Sequence, residues 1–134
     1  RLVCDIKVDG ISLTTNLVAE NTGKDAFDFN MLQHTYFAVD GGDAQDADQC
    51  YVHGLGGYSV IDKVDSSNNG STQSYDEDGG VTLAGEVDRV FIHPESHNAV
   101  HVKIGVGNNK VVKMEAYGEV DDSPIPVSCV VWNP

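Results

Sequence analysis

The sequence predicts an all-β protein of antiparallel strands, arranged as a sandwich or a barrel. Three observations carry this. Short stretches alternate apolar and polar residues with period two, clusters of Gly, Asn and Asp separate them at fairly regular intervals, and no segment sustains a helical period.

The first alternation is the clearest. Leu2, Cys4, Ile6 and Val8 share one face against Val3, Asp5 and Lys7, Asp9-Gly10 follows as a turn, and a second extended stretch runs from Ile11 to Glu20. This is a hairpin, with Gly10 expected to supply a positive φ. Asn21-Thr22-Gly23-Lys24 is the next turn. Phe27, Phe29 and Met31 resume the alternation, and the β-formers Thr35, Tyr36, Phe37 and Val39 predict a strand over Met31 to Val39 that carries His34.

Asp40 to Gln49 is small, acidic and Gly-containing, so it reads as a loop. Cys50 to His53 is a short strand that Gly54-Leu55-Gly56-Gly57 breaks, and Tyr58 to Val64 is extended again. Asp65 to Gly80 is dominated by Ser, Asn, Gly, Asp and Gln and predicts a mobile surface excursion. Later strands are expected at Arg89–His93, Val100–Ile104, Val111–Tyr117 and Val127–Trp132, with a turn at Gly107-Asn108-Asn109. No repeat or linker composition appears, so residues 1–134 are expected to form one domain or part of one.

Composition narrows the function classes. A net charge of −13 with only two arginines, Arg1 and Arg89, argues against nucleic acid and anionic membranes, which need cations against phosphate. No apolar run is long enough to span a bilayer as a helix. Cys4, Cys50 and Cys129 form no metal or redox spacing. Apolar neighbours around Cys4 and Cys129 predict free, buried thiols, which fits the cytoplasm. The sequon Asn69-Gly70-Ser71 lies in a polar loop and is read as chance without a secretory signal. The chain begins within a strand-like alternation, as if cut from something longer.

Three constellations bear on chemistry. His93, His97 and His101 would share one face of a helix, but Pro94 and the β-rich flanks oppose a helix, so no zinc site is expected. Gly54-Leu55-Gly56-Gly57 lacks the spacing, the following helix and the Lys-Ser/Thr pair of a phosphate loop, and reads as a tight bend. By alternation His34 shares a face with Leu32 and Tyr36, and a lone histidine on a strand is more often structural than functional. Asp88 is similarly open between a carboxylate paired with a cation and a binding residue.

Leu32-Gln33-His34-Thr35-Tyr36-Phe37 resembles the LHTYF signature of the glucose-6-phosphate 1-epimerase (hexose-phosphate mutarotase) family. In the family's order follow Gly54-Leu55-Gly56-Gly57-Tyr58 with Ile61-Asp62-Lys63, then Glu86-Val87-Asp88-Arg89-Val90-Phe91, then Val130-Val131-Trp132-Asn133-Pro134. Asn21-Thr22-Gly23 resembles the family's turn ahead of the histidine. The resemblance implies a galactose mutarotase-like antiparallel β-sandwich, and interconversion of the α and β anomers of a hexose 6-phosphate without metal or organic cofactor. His34 would be the acid and Asp88 a substrate-binding carboxylate. Asp62 and Lys63 have no assigned role, and Trp132 would be a wall against the sugar or core packing, with packing the first reading.

The family's base is a glutamate downstream of VVWNP. Its phosphate-binding arginines and a second histidine lie upstream of the segment that begins at Arg1. The resemblance therefore implies a partial site. The alternative is a non-catalytic β-sandwich that binds carbohydrate or self-associates, as a homodimer, through exposed sheet edges.

Overall fold

In the computed structural model the chain is all-β with antiparallel sheets, and residues 1–68, 70–76, 80–94 and 98–134 are described. It divides into two compact units, Arg1–Thr35 and Tyr36–Pro134.

The first unit contains the expected hairpin. Strands β1 (Leu2–Val8) and β2 (Leu13–Ala19) pair in antiparallel register from Leu2↔Ala19 to Val8↔Leu13. Gly10 is not in the left-handed region; the turn is held by Asp9 instead. One of its carboxylate oxygens accepts the Ile11 and Ser12 amides at 2.9 and 2.7 Å, and the other accepts the Ser12 hydroxyl at 2.7 Å. These hydrogen bonds, that of the Ile11 amide foremost, hold the Asp9 carboxyl below its ordinary pKa. By register Leu2, Cys4, Ile6, Val8, Leu13, Thr15, Leu17 and Ala19 share one face, and Leu2, Ile6, Val8 and Leu13 are exposed.

The strand expected over Met31 to Val39 does not form. Its residues have strand propensity, but no neighbouring strand pairs with them, and propensity without a ladder does not make a strand. Gln33 instead meets the Thr15 hydroxyl at 2.6 Å. Cys4 is exposed, which corrects the expectation of a buried thiol; Cys50 is the buried one, and all three cysteines are free.

The second unit contains two four-stranded sheets and a small hairpin. One sheet orders β6 (Val81–Thr82), β3 (Cys50–His53), β8 (Val100–Val106) and β9 (Val111–Ala116). The other orders β12 (Cys129–Asn133), β7 (Val87–Ile92), β4 (Ser59–Asp62) and β5 (Gln73–Ser74). The hairpin pairs β10 (Gly118–Val120) with β11 (Ser123–Ile125). One core draws Val52, Val81, Val100, Val102 and Ile104 from the first sheet and Val60, Val87, Phe91 and Val131 from the second, with Leu55 and Tyr58 from the glycine loop.

That loop is a bend, as its composition predicts. Gly54 has φ 110°, and a side chain there would run into the His101 carbonyl oxygen, so only glycine lets Leu55 turn into the core. The acidic loop folds against the β8–β9 turn. Asn108 and Asn109 are left-handed at φ 53° and 55°, and their amides donate to the Asp43 carboxylate at 2.8 Å and to the Gln49 side-chain oxygen at 2.9 Å. The stretch after Asp65 is anchored in part rather than wholly excursive, since β5 pairs with β4 and the Tyr75 ring meets Phe91 edge-on at 5.0 Å.

Candidate functional site

The two large sheets of the second unit differ on their outer faces. In the β6–β3–β8–β9 sheet, alternation places Val52, Val81, Val102 and Ile104 inward, and leaves His101, Lys103, Lys113 and Glu115 outward. This is the ordinary pattern of an antiparallel sheet with one wet face. In the β12–β7–β4–β5 sheet the inward row includes Val60, Phe91 and Val131, yet the outward row is also largely apolar: Val130 and Trp132 on β12, Val90 and Ile92 on β7, Ile61 on β4. Val130, Trp132 and Ile92 are exposed there.

Asp88 lies in this outward row. It stands directly opposite Trp132 in the β7–β12 register, and its carboxylate is 3.8 Å from the Lys63 ammonium. The Lys63 amide also donates to the Asp88 carbonyl at 2.9 Å, which fixes the chain leaving β4 beside this carboxylate. The Tyr36 and Trp132 rings meet nearly edge to face, centroids 6.5 Å apart at 76°. Core packing, the first reading of Trp132, is thus corrected: the indole is 45% exposed on the face away from the core.

At the end of the inward row sits an ion pair. Arg89 donates through Nε to Asp62 at 2.7 Å, and the other Asp62 oxygen accepts the Val64 and Asp65 amides at 3.0 and 3.1 Å. Burial by itself raises the Asp62 pKa. The Arg89 hydrogen bond, the two amides and the guanidinium charge outweigh burial and leave the carboxyl below its ordinary range. A depressed carboxyl contributes stability above its unfolded pKa and loses it as pH falls through the folded one. Asp62→Asn should therefore be less stable than wild type at pH 7, and the gap should close in acid, below about pH 5. Urea unfolding across this range checks it, and parallel curves would contradict it.

His34 belongs to the first unit and is exposed, in a segment without regular structure. The strand alternation that assigned it a face therefore does not apply. Two shallow depressions, one lined by residues from Arg1 to Phe27 and one by Gly54, Tyr58, Asn98, Ala99 and His101, include neither His34 nor Asp88. Of the three histidines weighed for zinc, His93 is buried, His101 is exposed on β8, and His97 lies outside the described residues, as does Asn69 of the sequon. Among the described residues no cluster of three metal-ligating side chains occurs, and no helix is long and apolar enough to cross a membrane. Burial pushes the Cys129 thiol up to about 11, so it stays protonated at neutral pH and is a poor nucleophile.

Compared with known proteins, the chain matches no family model, no curated protein and no solved structure. Reasoning from the sequence missed the grouping of Tyr36, Lys63 and Trp132 with Asp88. Trp132 ends the run Cys129-Val130-Val131-Trp132, apolar on both faces, and such a run hides which residues point outward.

Proposed function

We propose that the chain carries part of a mutarotase-type site interconverting the α and β anomers of a hexose 6-phosphate, with His34 as acid and Asp88 as sugar-binding carboxylate. The ordered segments resembling the hexose-phosphate mutarotases support this reading, as would a galactose mutarotase-like sandwich. The observation that carries it furthest is Asp88 itself: a carboxylate on an outward, mostly apolar sheet face, opposite an exposed indole and beside an ammonium. A few placed polar groups on an apolar wall is the usual make-up of a small-molecule site.

The chemistry moves two protons. The acid protonates the ring oxygen while a water molecule, acting as base, takes the anomeric hydroxyl proton; the ring carbon–oxygen bond breaks to give the aldehyde, the C1–C2 bond rotates, and closure on the other face returns both protons. His34 suits the acid step because an imidazolium donates near neutral pH. Asp88 accepts hydrogen bonds from hydroxyls and fixes the ring. The cytoplasm is the compartment that suits such a substrate.

The test follows equilibration of α-glucose 6-phosphate by polarimetry or NMR. Acceleration over buffer by the wild-type chain that disappears in His34→Ala supports residual catalysis, and a rate equal to buffer would sink the catalytic reading for this chain. A second reading, self-association, is favoured by the apolar face of the first hairpin, where Leu2, Ile6, Val8 and Leu13 are exposed. Sedimentation velocity showing only monomer would remove it.

A further inference from the structure

We infer that Trp132, with the Tyr36 ring beside it, is the stacking platform for the C–H face of a pyranose whose hydroxyls Asp88 accepts. This rests on the sugar-directed reading above and assigns a specificity-determining role to aromatic residues with no part in the proton transfers.

The register supplies the geometry. Residues directly opposite in an antiparallel pair have Cβ atoms about 4.5–5.5 Å apart. Trp132 and Asp88 are such a pair, so one monosaccharide ring spans both. The indole face carries the negative side of its quadrupole. A hexopyranose with mainly equatorial hydroxyls presents axial hydrogens, made slightly positive by neighbouring oxygens, and these lie against such a face. The hydroxyls at the ring's rim then reach the Asp88 carboxylate, whose acceptor oxygens suit O–H donors.

Tyr36 adds orientation. Its edge-to-face contact with Trp132 braces one side of the indole. Trp132 is 45% and Tyr36 79% exposed, so the rings offer surface to a ligand. Lys63, 3.8 Å from Asp88, pairs with the carboxylate and offers a cation to a charged substituent of the sugar. The outward face of the β6–β3–β8–β9 sheet is of a different make-up, carrying Tyr51 and His53, rings 4.6 Å apart, along with His101, Lys103, Lys113 and Glu115.

Trp132 is the only tryptophan of the chain, so tryptophan emission reports this face alone. Titrating the full chain with glucose and with glucose 6-phosphate should produce a saturable change in emission and reduced acrylamide quenching, while the open-chain alcohol sorbitol leaves both unaltered. By calorimetry Trp132→Ala should bind about tenfold more weakly, and Trp132→Phe should keep most of the affinity. Emission that no sugar perturbs overturns the inference. So does a Trp132→Ala variant that binds as tightly as wild type, or an indole already shielded from acrylamide in the sugar-free chain, which would mean that a second copy covers the face. A saturable signal without faster mutarotation leaves the platform standing and removes the catalytic reading. Faster mutarotation with unperturbed emission, and an unaltered KM in Trp132→Ala, does the reverse.

Discussion

His34→Ala is expected to slow the protein-dependent equilibration of α-glucose 6-phosphate by about 10²–10⁴-fold, the range for losing one general acid. The loss should fall on kcat, because the imidazole acts on the ring oxygen in the transition state rather than holding the sugar. Asp88→Asn gives the contrast: a hydroxyl acceptor is weakened, and KM should rise more than kcat falls. The His34 experiment is clean in one respect. The residue is exposed and belongs to no strand. Circular dichroism of the variant should match wild type, and the rate change then reads chemistry. A His34→Ala chain that works as fast as wild type would remove this histidine from the mechanism.

Phe91→Ala should cost about 3–5 kcal/mol of stability, as emptying a large aromatic site generally does. Phe91 is 0% exposed, lies in β7 opposite Val60 on one side and Cys129 on the other, and takes the edge of Tyr75 at 5.0 Å. Its removal leaves a cavity where three strands meet and breaks the aromatic pair, itself worth about 0.5–1.5 kcal/mol. Small domains hold only about 5–15 kcal/mol in total, so the variant should unfold at a much lower urea concentration. Phe91→Leu, which refills much of the space, should recover a large part of the loss. A midpoint shift equivalent to less than about 1 kcal/mol would mean that the core collapses around the gap.

Which elements could be foreseen follows from what period two encodes. The β1–β2 hairpin, β3, β8 and β9 alternate against polar neighbours, and each forms where the pattern puts it. β5 and β6 are two residues long, and β10 and β11 three, too short to show any period. Met31 to Val39 fails for the opposite reason: its pattern is good and no strand pairs with it. The Asp9 turn shows a third limit, since a carboxylate taking three hydrogen bonds does what a left-handed glycine was expected to do. For the candidate site, Asp88 was legible as a motif residue. Its placement opposite Trp132 was not, because register between strands distant in sequence is set by packing and leaves no local mark.

The pairing of β12 with β7 has a bearing on the order in which the molecule assembles. The hairpins β8–β9 and β10–β11 close over tight turns and are entropically cheap to start. Trp132 meets Asp88 only when β12 returns across β8, β9, β10 and β11 to β7, which precedes them in the sequence. Such long closures come after local ones, because their entropy must be met before their contacts form. The face bearing Trp132 and Asp88 is therefore one that no isolated hairpin of this chain contains, and its closure is the non-local kind expected to follow local pairing.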